Sequence, residues 1–398
     1  MESYFNKSIP NESIAVLYAS LMMTGNRIVG PEARAKILSE KSFDKDRITR
    51  YPFKPFDVRW CYLDNIRPLF SEPSPRLIAQ AFPGNAFFIT RDTADKDTEG
   101  PPFLFSPVIC DYDCISGHAR HFPLRLKRDT KKNKSEDNEE KGAKTKIYQQ
   151  GDLLAEEIIT ANLSASARSY LQALMLPDPD TDKSTAELLW YHAFAIGYSP
   201  AYLSENADGI RQDWPRIPLP ATKEALLASA ELGRSIAALL DSEMQVPGVT
   251  CGKIRDDLKA VGLCQRVDNK QINPDAGDLE LTAGWGHAGK EGVTMPGRGR
   301  VEPSIGATDA LDIYLNADVC WKNIPQATWE MTIGGYQVLK KWLSYREKAL
   351  LGRSLTLTEA RTFTETARRL TALIGLYPSL DENYRSVINN DYVRKDHL

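Results

Sequence analysis

The chain has 398 residues, of which 42% are apolar, 26% charged and 9% aromatic. At about 150 residues per domain that allows two or three domains, and it excludes a wholly disordered chain, a collagen and a coiled-coil rod. Fifty Lys and Arg against 53 Asp and Glu leave a net charge of −3, which as a bulk figure argues against a nucleic-acid binder.

The charge is unevenly spread. Residues 1–150 hold 24 basic and 20 acidic side chains, 151–250 hold 6 and 14, and 251–398 hold 20 and 19. An acidic middle thus separates neutral-to-basic flanks, and Arg120 to Lys134 carries seven basic residues against Asp129. Six cysteines (61, 110, 114, 251, 264 and 320) fit free thiols in a reducing compartment. The N-terminus is polar, without an apolar core of secretory type, and no apolar run approaches the roughly 18 residues of a membrane span. A soluble cytoplasmic protein is expected.

In chain order, residues 1–50 read as a helical lead-in, with apolar spacing of three and four over Glu12–Met23 and Pro31–Leu38. Residues 51–128 read as β-rich: Val58–Leu63, Ala86–Thr90 and Phe103–Ile109 are β-branched and aromatic runs bounded by turn residues. Residues 129–146 are almost wholly polar and charged and read as a disordered loop.

A helical subdomain is expected over 147–245, with helices at 152–175, 185–198, 200–210 and 222–243. Ser199-Pro200 supplies an N-cap followed by a first-turn proline. Residues 246–398 read as an α+β part: a Gly-rich stretch to 305, a strand over Ala310–Val319, and helices over Gly335–Leu351 and Thr358–Tyr377. The last helix has one apolar stripe through Ala360, Phe363, Ala367, Leu370, Ile374 and Tyr377. The fold class is α+β: a mixed sheet region, a helical subdomain and C-terminal helices.

Four segments approach catalytic or metal motifs and miss. Gly284-Trp-Gly-His-Ala-Gly-Lys-Glu291 has the Gly and Lys spacing of a phosphate loop but Glu where a hydroxyl should hold Mg²⁺. Cys110, Cys114, His118 and His121 are too closely spaced for a zinc finger, whose ligand pairs are separated so that a helix can return to the metal. Pro177 to Lys183 reads as a polar turn. Gly100-Pro-Pro-Phe103 lacks the Asn or Asp oxygen with which an amino-methyltransferase loop holds the exocyclic amine. None of these makes an active site.

Four blocks in order resemble one family. They are Tyr51-Pro-Phe-Lys-Pro-Phe-Asp-Val-Arg-Trp60, followed by Pro83-Gly-Asn85 and Ile89-Thr-Arg91; Phe122-Pro-Leu-Arg-Leu126; Trp190 to Tyr202, running on to Asp213-Trp-Pro-Arg-Ile-Pro-Leu-Pro220; and Trp329 to Arg346, followed by Gly352-Arg-Ser-Leu355. Together they resemble the C-terminal target-recognition region of type ISP and related restriction–modification N6-adenine DNA methyltransferases. Lys54 stands where that family usually has Arg, Gly197 where a larger residue is usual, and 129–146 and 265–305 look like insertions.

The resemblance implies sequence-specific recognition of double-stranded DNA, as the specificity part of a restriction–modification or phage-defence system. It places catalysis elsewhere: no cofactor on this chain, S-adenosylmethionine on a methyltransferase partner, and a helicase–nuclease as a further candidate partner. Two alternatives stay open, a divergent adenine-specific DNA methyltransferase and a non-catalytic interaction protein of a defence locus.

Within the blocks, a helix starting at Gly334-Gly335 would offer backbone N–H groups to a phosphate, with Lys340 and Lys341 on its next turns and Arg346 and Arg353 continuing the basic surface. The same helix would pack Tyr336, Leu339, Trp342 and Leu343 as core. Lys54, Arg59, Arg67 and Arg91 either read guanine edges and grip phosphate or pair with Asp57, Asp64 and Asp92. Arg216 is a phosphate contact or a structural Arg in a stiff proline-rich connector. Tyr198 and Tyr202 read as core.

Overall fold

The computed structural model describes residues 1–18, 21–24, 28–65, 74–95, 99–129, 157–286 and 296–392. The expected loop at 129–146 and Arg67 therefore fall outside the described residues, apart from Asp129 at a strand end.

The N-terminal helices close a small core of their own. Helix α1 (Gly30–Glu40) buries Ile37 against Tyr4, Ile14 and Met22. Arg34 ties the segment together, donating to the Tyr4 and Asn6 carbonyls and to the Asn11 side chain, each at 2.8 Å. The strand region opens at Ile48, three residues before the expected start at 51.

There β1 (Ile48–Lys54) begins and returns as β2 (Asp57–Tyr62), pairing Arg50 with Trp60 and Tyr51 with Arg59. A three-stranded antiparallel sheet follows, with β3 (Phe87–Thr90) between β4 (Leu104–Ser106) and β5 (Arg120–Pro123). β6 (Arg125–Asp129) pairs with β7 (Glu157–Ala161), so among the described residues the helix expected over 152–175 starts at Ala165, and 152–156 lie outside them. The apolar Ile158-Ile159 pair fits either periodicity, and its cross-strand partner lies some thirty residues away.

The helical layer comprises α2 (Ala165–Ala173), α3 (Lys183–Gly197), α4 (Pro200–Glu205) and α5 (Lys223–Leu240). Asp182 caps α3 by accepting from Thr185 N at 2.8 Å, and Ser199 caps α4 by accepting from Tyr202 N. The polar turn before α3 is thus used structurally, with Asp180 also 2.9 Å from Arg168. α3 and α5 pack so closely that a Cβ at Gly233 would lie 1.7 Å from the Tyr191 carbonyl oxygen. Side chains cannot enter that contact, so glycine sets the interhelical distance.

Gly197 has a similar role at the end of α3, where its Cβ would overlap the Phe103 ring at 2.0 Å. Phe103 is 2% exposed and its carbonyl accepts from Tyr198 Oη at 2.7 Å. Pro101, Pro102 and Phe103 are therefore core, and the bulk missing at position 197 is supplied by Phe103. Tyr198 and Tyr202 are both buried.

The second half contains an antiparallel sheet in the order β8 (Leu263–Arg266), β11 (Val319–Pro325), β10 (Ala310–Tyr314), β9 (Val301–Pro303). Two strands, β10 and the start of β11, occupy the region expected as one. The N–H groups of Gly284 and Trp285, at the start of the phosphate-loop look-alike, donate to the Glu347 carboxylate at 3.0 and 2.9 Å.

β12 (Thr332–Ile333) and β13 (Tyr336–Gln337) form a tight hairpin before α6 (Val338–Ser344). α7 (Leu357–Ile374), opened by a Thr356–Glu359 capping box, and α8 (Tyr377–Asn389) are the last helices among the described residues. α7 lays Ala360, Phe363, Ala367 and Leu370 into the main core, which runs from β3 through α3 and α5 to Trp321 and Trp342. No helix among the described residues is long and apolar enough to cross a membrane.

Candidate nucleic-acid interface

The β1–β2 hairpin brings distant cations together. Asp57 and Arg59, two residues apart on β2, share one face of the strand, Asp57 buried and Arg59 exposed beyond it, and α6 approaches from the far end of the chain. Asp57, wholly buried, accepts from Arg59 at 2.8 Å and from Arg346 at 2.7 Å. Burial alone would raise the Asp57 carboxyl, but the two guanidinium groups outweigh it and hold the group below the usual carboxylate range.

Aromatic faces carry the remaining charge. Arg59 lies 4.1 Å over Phe53 and 5.0 Å from Tyr345, and Arg346 lies 3.8 Å over Trp342. Lys341 sits 4.8 Å from Tyr345 and 5.5 Å from Tyr336. Lys54 sits 4.5 Å from Phe53 and 5.0 Å from Tyr336, and donates to the Asp113 carbonyl. Burial lowers the Lys54 ammonium below its ordinary value, with Asp111 and Asp113 opposing the shift. Ring quadrupoles attract such cations without adding negative charge. The cluster therefore holds four cations around one buried carboxylate, with Asp111 and Asp113 at its edge.

Beside the cluster lies a cleft of about 580 Å³, lined by Arg50, Arg59, Trp60, Arg346 and Arg353 together with Glu243, Glu359 and Glu365. Arg353 is half exposed and forks onto Glu359 at 2.7 and 2.9 Å. Arg50 forks onto Glu243 and stacks 4.9 Å over Trp60, which is 69% exposed. Sequence reasoning missed Arg50 and Trp60. The available signal was the alternation of Arg59 and Trp60 on a two-stranded hairpin, which sends neighbouring side chains to opposite faces.

The other expected site residues go elsewhere. Arg91 is interior, 2% exposed and ion-paired with Glu99, which removes it from any ligand surface. Arg216 is 90% exposed in the proline-rich segment, 3.4 Å from Asp213, and does not line the cleft. Lys340 is half-buried on α6.

The helix expected from Gly334-Gly335 is corrected. Both glycines form the two-residue loop between β12 and β13, with φ of +52° and +83°, and α6 begins at Val338. Their N–H groups are already used, donating to the Pro101 and Glu99 carbonyls at 2.9 and 2.8 Å. A Cβ on Gly334 would strike Ile115 at 2.4 Å. The pair is a packing device with no N–H left for a phosphate.

Cys110 lies against Cys114 and His121, its N–H donating to His121 Nε2 at 3.1 Å, while His118 turns out to Asp113, so the four Cys and His positions do not converge. Among the described residues no group of three or more His, Cys, Asp or Glu is placed to hold a metal ion.

The chain matches the model of the Type ISP C-terminal specificity domain over residues 26–373. No curated protein sequence matches it. Three solved structures share its fold. A nuclease-deletion mutant of the Type ISP restriction–modification enzyme LlaGI, in complex with a DNA substrate mimic, aligns with a TM-score of 0.51 at 15% identity, covering 99% of this chain and 30% of that one. The DrdV–DNA complex gives 0.51 at 18%, covering 95% and 32%. The ATP-dependent Type ISP enzyme LlaBIII bound to DNA gives 0.51 at 12%, covering 96% and 22%. This chain thus spans about a third or less of the length of each structure it matches. With 348 consecutive residues matched (26–373), the chain belongs to the family of Type ISP C-terminal specificity domains.

Proposed function

We propose that this chain recognises a specific double-stranded DNA sequence as the specificity part of a restriction–modification or phage-defence adenine methyltransferase system. The supporting observation is the convergence of Lys54, Arg59, Lys341 and Arg346 on one aromatic-backed cluster that opens onto the Arg-lined cleft. Within the cluster four cations face Asp57, Asp111 and Asp113, although the chain as a whole carries a net charge of −3, and that local excess is the field that a polyanion selects.

In this reading the exposed guanidinium groups of Arg59 and Arg353 contact phosphates and set register, with Arg216 and Lys340 as outlying contacts. Lys54, Lys341 and Arg346 supply positive potential from beneath. Phosphate contacts position the duplex, and base edges supply the sequence information. The methyl donor, S-adenosylmethionine, binds a methyltransferase partner, to which the recognised site presents its adenine.

Competition binding of the full chain to selected and randomised duplexes, at stated ionic strength, tests this. A preference of about 10³-fold or more for selected sequence supports it, and a ratio near one overturns it. Arg353→Gln is expected to weaken binding to all sequences alike and to flatten the log-affinity against log-salt slope by about one.

A further inference from the structure

We infer that the loop Tyr112–Ala119 is a rigid base-reading finger whose tip, His118 and Asp113 braced by Tyr112, accepts hydrogen bonds from the exocyclic amine of adenine or cytosine in the major groove. The inference rests on the proposed DNA recognition and assigns part of its specificity to residues outside the cationic cleft.

The floor of the loop is buried: Cys114, Ile115 and Ser116 are 0, 1 and 5% exposed. Ser116 N donates to the Gly334 carbonyl at 2.7 Å, and Gly117 N donates to Asp95 at 2.8 Å. The loop closes on itself through Ala119 N to the Tyr112 carbonyl at 2.7 Å. Its entry is held by Asp111 N donating to the Pro52 carbonyl at 2.9 Å, and Lys54 donates to the Asp113 carbonyl, which joins the finger to the cation cluster.

The tip is solvent-facing. Tyr112 and His118 are each 53% exposed and Asp113 is 61% exposed. The two rings stack with centroids 4.3 Å apart and 14° between planes. His118 adopts a left-handed backbone, φ +70°, after Gly117 at φ +77°, where a Cβ would strike the Thr93 carbonyl oxygen at 2.3 Å. A non-glycine residue held in that region costs free energy that the surrounding contacts must offset, a pattern concentrated at ligand-contacting sites.

The chemistry of the tip selects its ligand. His118 Nδ1 lies 3.1 Å from Asp113 Oδ1. A carboxylate only accepts, so the proton sits on Nδ1, and in the neutral ring Nε2 presents a lone pair. Asp113 adds a further acceptor and a negative charge, which rejects phosphate. Base edges that offer a donor in the major groove are adenine N6 and cytosine N4.

The test compares base preference at every position of the selected site for the full-length chain and for Asp113→Asn and His118→Gly, the latter fitting the left-handed backbone without strain. Discrimination is expected to fall at least tenfold at one or two adjacent positions and to stay unchanged elsewhere, with the salt slope unaltered. Removing the exocyclic amine at those positions should reproduce the loss with the parent chain. Preference unchanged at all positions in both folded variants overturns the finger while leaving DNA recognition standing, and points to a basic protein surface as its partner. A parent chain without any preference overturns both.

Discussion

Asp57 and His192 are both fully buried polar groups, yet cations outnumber the first and neutral partners match the second. His192 Nε2 donates to the Pro218 carbonyl at 2.8 Å, since a carbonyl only accepts, so Nδ1 accepts from the Ser229 hydroxyl at 2.7 Å. Burial drives the imidazole down to about 4, and the ring is neutral. It borders an apolar cavity of about 690 Å³ walled by Phe88, Phe122, Trp190 and Trp214. Around Asp57 two guanidinium groups share one carboxylate, and ring faces take up the excess. His192 is thus neutral and satisfied within the helical layer, as suits a scaffold, whereas the hairpin–α6 cluster holds four cations against Asp57, Asp111 and Asp113.

The largest expected effect comes from breaking the charged centre. Asp57→Asn leaves two guanidinium groups without their counter-charge and should cost about 3–5 kcal/mol in urea unfolding. A loss under about 1 kcal/mol would mean that the aromatic faces, and not the carboxylate, balance Arg59 and Arg346.

Acid then separates the two centres. His192 binds its proton near pH 6.5 when unfolded and near 4 when folded, so the unfolded state takes up more protons between those values and stability falls as pH drops through that window. One pKa unit is worth about 1.4 kcal/mol, so the loss should approach about 3 kcal/mol by pH 4. The Asp57 carboxyl is held below its ordinary value, so its contribution is complete above about pH 4 and is lost only at lower pH. His192→Gln should flatten the upper window and leave the lower one; a curve unchanged between pH 6.5 and 4 would refute the neutral buried imidazole.

The smallest effect lies between the two regions, where α3 meets Phe103. Gly197→Ala overpacks that contact and should cost about 1–3 kcal/mol. Adding Phe103→Leu should recover part of the loss, and additivity of the two changes would show that Phe103 does not fill the space at Gly197.

Elements whose partners are close in sequence were the ones legible in it. Ser199-Pro200 opens α4 because a hydroxyl and a fixed φ act within three residues. The stripe of α7 reads directly because one helix face repeats every three or four residues. Gly334-Gly335 misled for the opposite reason: glycines before an amphipathic run fit a helix start, and only the pairing of Ile333 with Tyr336 makes them a hairpin loop. β7 was missed because its partner β6 lies some thirty residues away in the chain.

Among the basic candidates, residue type was legible and exposure was not. Arg59 and Arg91 both sit on or beside strands with an aspartate nearby in sequence, yet one is 41% exposed over Phe53 and the other is sealed against Glu99. The sequence by itself determined the family, the α+β class and the supply of cations in the flanks, since ordered motifs and composition are carried by the chain itself. Only the tertiary structure decided which cations share a surface. Arg346 reaches Asp57 across 289 residues, and no local periodicity encodes a contact made by the packing of a helix against a distant hairpin.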